Sequence, residues 1–281
     1  MTIKIVTDST ADISPDVAAA LDITVVPGYI RFGDDVYRDG VDITSSGFFE
    51  KLSQTNIHPT TSEPTPEDFA GVYSDCSKKA EHILSIHISG RMSRICESAA
   101  KGKELANSIS EIDIIDSRLV SAGLASVVLF AAKLVKAGET YESVFEKTQA
   151  ALEDVQVLGI FDTTKGLVFS DRVSIGILAL ADIAGMMPLL TVDDGILTRA
   201  GLVRTYSEGE EKLLRFVESD MPGVQDLAIT YSVTPKQAAE FKARLGRIIP
   251  EENINMAQLG AAVGVHGGPG ALMVAFRRGK Q

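Results

Sequence analysis

Short apolar runs alternate with helix-patterned stretches through the first half of the chain. Ile3 to Val6 reads as a strand. Ser14 followed by Pro15 reads as a helix start carrying Val17, Ala18 and Leu21, and the chain returns at Thr24 to Val26. Apolar side chains alternate on both sides of Gly33-Asp34 between Tyr29 and Tyr37, which predicts a hairpin hung on the main sheet. Thr65-Pro66-Glu67-Asp68 predicts a capped helix to about Lys79, followed by a strand over His82 to Ser89 and a helix over Arg94 to Ala106. Ile112 to Ile115 is a further strand. The segment from Leu119 to Ala137 is apolar almost all round, so it is expected as a helix deep against the sheet. A helix over Thr140 to Leu152 and a strand over Val155 to Phe161 follow.

Beyond that point the style changes. Asp193-Asp194-Gly195 is a hairpin turn between two β-like runs. Capping boxes at Ser207 to Glu210 and at Thr234 to Gln237 flank the strand Leu227 to Ser232. The expected fold class is α/β with two domains. Residues 1–155 form a three-layer parallel-sheet domain, and residues 156–281 form an α/β domain with a mixed sheet. There is no internal repeat or long linker, so the domains are expected to share a cleft.

Charge and composition narrow the function. The formal net charge of −11, from 38 acidic against 27 basic residues, disfavours nucleic acid and anionic membranes as partners. The first ten residues lack the apolar core of a signal peptide, and the longest apolar stretch, Val173 to Leu190, is broken by Ser174, Gly176, Asp182 and Pro188. A cytoplasmic protein without stable membrane insertion is expected. Cys76 and Cys96 form no CxxC pair and have no histidine cluster beside them, so free thiols and no metal site are expected.

Four segments place hydroxyl, carboxylate or imidazole groups where a strand gives way to a loop or helix, which is where open α/β sheets bind ligands. In Thr7-Asp8-Ser9-Thr10, ordinary turn bonding is the preferred reading over ligand contact. Thr60-Thr61-Ser62, held between Pro59 and Pro64, is an extended loop presenting three hydroxyls. It is either a polar connection or a set of uncharged donors for an anion. Ser93 either caps the helix that follows or joins that helix's free amides in holding an anion. His266 stands before Gly267-Gly268-Pro269-Gly270, where backbone can approach a ligand closely. Gly90-Arg91-Met92-Ser93-Arg94 is not a GxSxG elbow, and neither a phosphate loop nor a GxGxxG fingerprint is present. The alternative kept open is a small-molecule phosphotransferase or a serine hydrolase using Ser93.

Taken in order, Thr7 to Asp12, Pro59 to Pro64, Ile88 to Ala99, Asp116-Ser117-Arg118 and Gly264 to Gly270 resemble the DegV family over essentially the whole chain. Asp171 to Ser174 and Val203-Arg204-Thr205 add to the match. The resemblance implies a carrier, not an enzyme, that binds a palmitate-like or oleate-like long-chain fatty acid in an interdomain tunnel and uses no cofactor. Thr61 and Ser93 would hold the carboxylate, His266 would lie beside it, and Ser62 would assist. In some bacteria, family members hand the acid to a fatty-acid kinase, and Arg172 and Arg204 match arginines that would face that partner. This chain departs from the family in having Arg91 and Arg94 in place of glycines, Gly267 in place of threonine, and Met187 in place of lysine before Pro188.

Overall fold

The computed structural model describes residues 2–162, 185–232 and 234–279. Strand β1 (Ile3–Asp8) pairs in parallel with β2 (Ile23–Val26) across the helix α1 (Pro15–Ala20), whose Ser14 cap and Pro15 opening are as expected. Next come β3 (Tyr29–Phe32), β4 (Asp35–Arg38), the helix α2 (Ser45–Gln54) and β5 (Thr60–Ser62). The hairpin does not hang on the main sheet. It forms its own three-stranded sheet in the order β4-β3-β5, because the hydroxyl-rich segment expected as a loop pairs with β3, Thr61 opposite Ile30.

Helix α3 (Pro66–Cys76), β6 (His82–His87), α4 (Ile95–Leu105) and β7 (Glu111–Asp116) complete a parallel sheet of order β2-β1-β6-β7. α3 and α4 pack against each other beside it, with Phe69, Tyr73 and Ala99 buried. Then α5 (Ala122–Lys136) and α6 (Tyr141–Leu152) follow. α5 touches β1 and β6 of the parallel sheet and also β8 (Val155–Ile160) of the next sheet. That two-sided burial explains why its sequence is apolar all round.

The second sheet contains β8, β9 (Met187–Asp193), β10 (Ile196–Val203), β11 (Val224–Tyr231), β12 (Ile254–Gln258) and β13 (Leu272–Arg278) in the order β10-β9-β8-β13-β11-β12. It is antiparallel except between β11 and β12. Among the described residues of this half lie the α-helices α7 (Tyr206–Glu218), α8 (Pro235–Leu245) and α9 (Ala261–Gly267). α7 is capped by Thr205, two residues before the expected Ser207, since the Thr205 hydroxyl is the one that accepts from the Glu208 amide. The two faces of β13 show the period of a buried strand. Leu272, Val274 and Phe276 pack with Leu213 and Phe241 of α7 and α8, while Met273 and Ala275 face the α5 core.

We propose residue 155, the first of β8, as the domain boundary. α9 reaches across it: Ala261 and Val265 pack with Ile30, Phe32 and Phe48 of the small sheet and α2. Among the described residues no helix is long and apolar enough to cross a membrane. Arg172, together with most of the Val173 to Leu190 stretch, lies outside the described residues.

Candidate functional site

β5 ends beside α9, and the two elements bring the Thr61 hydroxyl within 3.1 Å of His266 Nε2 across 205 residues of sequence. His266 therefore sits in the last turn of a helix and not in the glycine-rich loop that its sequence suggests. Its helix forms because its first amides find acceptors elsewhere: Gly260 N–H donates to Asp12, and the Ala261 and Ala262 amides donate to the two oxygens of Asp39.

Ser93 lies on the loop between β6 and α4. It is not the N-cap; Arg94 occupies that position without a side-chain cap bond. The loop is folded on Ser89, whose carbonyl accepts from the amides of Met92 and Ser93. A cavity of about 40 Å³ is lined by Thr61, Ser62, Glu63 and Ser93 together with Thr10, Gly28, Ile88, Ile95 and Ala262. Hydroxyls and the first turn of α4 thus converge on one space, together with the Glu63 carboxylate, which accepts from the Arg94 amide at 3.3 Å. The exposed Ser62 contributes to its rim.

Thr10, Ile88 and Ala262 also wall a second cavity of about 50 Å³. Its other lining is apolar apart from His266: Met92, Val120, Phe161, Leu197, Val263 and Met273, with Gly267. A hydroxyl-lined space and a greasy one therefore adjoin, with His266 and Thr61 near the junction. A wider groove of about 600 Å³ lies on the far side of Asp8 to Ser14, but Thr61, Ser93 and His266 do not line it.

Leu197 comes from β10, and the turn that joins β10 to β9 is fastened over the Ser89 loop. The Ser89 hydroxyl donates to the Gly195 carbonyl at 2.7 Å. Arg91 bonds the Asp194 carboxylate at 2.7 Å and its carbonyl at 2.9 Å, and Arg118 reaches the other carboxylate oxygen at 2.9 Å. Gly195 has a φ of +76° and no room for a Cβ, which would lie 2.5 Å from the Ser89 hydroxyl oxygen. Arg91 and Arg94 are thus both engaged, Arg91 with Asp194 and Arg94 with Glu63. Arg94 has a φ of −91°, so its position needs none of glycine's freedom. Arg204 is exposed just after β10 and lines neither cavity.

Asp8 and Ser9 are consumed within the protein. Burial alone would raise the Asp8 carboxyl, but hydrogen bonds from His87, Thr10 and the Ile88 amide outweigh it and hold the group below its ordinary range. His87 Nε2 lies 2.7 Å from the Ser85 hydroxyl, which lies 2.9 Å from the Tyr73 hydroxyl. Ser85, His87 and Asp8 reproduce the order of a hydrolase triad, but all three are fully buried. Asp12 and Asp39 behave oppositely to Asp8: burial pushes Asp12 well above and Asp39 above the usual carboxylate range, despite the amides that bond them. Burial also pushes the Cys96 thiol, in the first turn of α4, up to about 12, which removes it as a nucleophile. Among the described residues no cluster of three metal-ligating side chains occurs.

The order of the Thr61, Ser93 and His266 segments was readable from sequence, but of the three only Ser93 lies on a connection after a strand, since Thr61 is within β5 and His266 within α9. The carboxylates Asp12 and Asp39 were missed. The available signal was an acid just after a strand or hairpin, which local turn bonding also explains.

A family model described as the uncharacterised DegV family matches residues 2–278. A DegV domain-containing protein of Deinococcus radiodurans is 30% identical over 279 residues, covering 98% of both chains. A DegV family protein of Thermus thermophilus, whose solved structure is described by its fatty acid binding, is 30% identical. It superposes with a TM-score of 0.87 over 99% of this chain and 100% of its own. A stearic-acid-binding protein of Eubacterium ventriosum shares the fold at 22% identity, with a TM-score of 0.85 over 98% of each chain.

Proposed function

This chain belongs to the DegV family, and on that premise we propose that it binds a long-chain fatty acid, with the carboxylate held by Thr61 and Ser93 beside His266 and the tail in the apolar cavity between residues 1–155 and 156–281. The observation that carries the reading is the junction of the two cavities at Thr10, Ile88 and Ala262, with the Thr61–His266 contact beside it. Ser62 is an accessory donor at the rim.

The energetics divide along the same line. Burying about fifteen methylenes at ~0.8 kcal/mol each supplies on the order of 12 kcal/mol before the costs of ordering and association. Each charge-assisted bond to the carboxylate contributes a further ~1.5–3 kcal/mol and fixes its direction. A cavity of roughly 150 Å³ accommodates one benzene ring. The apolar cavity of about 50 Å³ therefore has to widen for a long tail. Leu197, on a hairpin held partly by exposed ion pairs worth about 0–1 kcal/mol each, is on the wall that yields most cheaply.

The protein acts in this reading as a cytoplasmic carrier and not as an enzyme. It presents the acid to a fatty-acid kinase, with the exposed Arg204 facing that partner. Ser93 chemistry has no support in the geometry, since the imidazole at the site contacts Thr61. Native mass spectrometry of the purified protein is expected to show a bound acyl chain, and calorimetry to show uptake of palmitate or oleate by delipidated protein. Absence of both would overturn the proposal.

A further inference from the structure

We propose that Asp12 and Asp39 are positioning residues: by gripping the first turn of α9 they hold His266, at the other end of the same helix, against Thr61. Three separate segments converge on this grip. Asp12, after β1, accepts from the Gly260 amide at 2.7 Å with one oxygen and from the Ser121 hydroxyl with the other. Asp39, after β4, accepts from the Ala261 and Ala262 amides at 2.9 and 3.0 Å. Ser121, just before α5, stands at φ 53° and ψ −126°, a strained conformation for a side-chain-bearing residue. Its hydroxyl also lies 2.8 Å from the Thr230 hydroxyl of β11.

The fit leaves no slack. A Cβ at Gly260 would lie 2.9 Å from an Asp12 oxygen and 3.0 Å from an Asp39 oxygen. Both carboxylates are buried, and each of their oxygens is spent on α9 or on the loop that supports it. α9 spans seven residues, so a tilt or slip of its first turn passes to His266 less than two helical turns away. Ala262, bonded directly by Asp39, is itself a wall of both cavities.

The grip serves the same site as the proposed function, and only its affinity readout rests on that reading. Asp39→Ala and His266→Ala are each expected to weaken palmitate binding roughly tenfold, and the double variant by no more than either alone, since one acts through the other. Multiplying losses would show an independent, merely structural effect and overturn the proposal. Thr234→Ala, which uncaps the distant α8, is the control and should leave affinity unchanged. In ligand-free protein, the imidazole ¹⁵N resonances of His266 should shift in Asp39→Ala and Asp12→Asn, and unchanged resonances would overturn the proposal. This second arm decides the matter even where wild-type protein binds no fatty acid, an outcome that would sink only the functional reading. Should Asp39→Ala fail to fold, Asp39→Asn, which keeps the volume and one acceptor, takes its place in both measurements: weaker binding and shifted resonances support the grip, and multiplying losses or unchanged resonances overturn it.

Discussion

Two histidines in this molecule have opposite surroundings. His87 lies between Ser85 and Asp8 with distances of 2.7 and 3.0 Å, the geometry a serine hydrolase requires, yet all three residues are fully buried, and the cavity that Asp8 borders is the wide groove that Thr61, Ser93 and His266 do not line. His266 contacts the Thr61 hydroxyl at the adjoining polar space, and it opens onto a greasy cavity. Triad geometry without access makes a satisfied core, whereas His266 has access without a triad, as the proposed head-group site requires.

The contrast between the two histidines is most vulnerable at the head group. Changing Thr61 and Ser93 together to alanine removes two charge-assisted bonds and should cost ~3–6 kcal/mol of affinity, read by calorimetry with palmitate. Unaltered affinity would mean that the carboxylate sits elsewhere. Next in size, His87→Ala leaves the buried Asp8 carboxylate without its ring partner and should destabilise the fold by about 3–5 kcal/mol in urea titrations. A loss below about 1 kcal/mol would mean the core line is dispensable. Leu197→Asn sets an amide against the tail without touching the polar cavity, and an affinity loss of ~1–3 kcal/mol is expected with little change in urea midpoint.

The smallest effect separates the carboxylates. Asp12 and Asp39 are raised by burial, so the stability linked to them is complete below their ordinary range and is lost as pH rises through their raised values. Asp8 is lowered, so its contribution holds above its ordinary range and disappears as pH falls through the lowered value. Thermal midpoints of Asp12→Asn followed upward from about pH 4 should decline less steeply than those of wild type, by on the order of 1 kcal/mol in all. Parallel curves would contradict the assignment.

Much of the first half of the fold was legible because local signals agreed with the tertiary outcome. Ser14-Pro15 and the Thr65 capping box begin helices where expected, and the all-apolar run of α5 proved to lie between two sheets. β5 was not legible, since three hydroxyl residues carry no period and become a strand only by pairing with β3. α9 was hidden for a related reason. Glycines at 260, 264, 267 and 268 weaken helix propensity, and the compensation comes from Asp12 and Asp39 more than 200 positions away. The partners of Thr61 and His266 were in view, whereas the grip that brings them together depended on contacts no window of sequence contains.

The stitching of α9 into the small sheet also bears on how the molecule is made. Ile30, Phe32 and Phe48 are among the early parts of the chain to leave the ribosome, yet Ala261 and Val265, which complete their cover, follow only after every strand of the mixed sheet but β13. Until then those side chains lack that cover, and a nascent chain stalled before α9 carries a sticky face that invites chaperone capture.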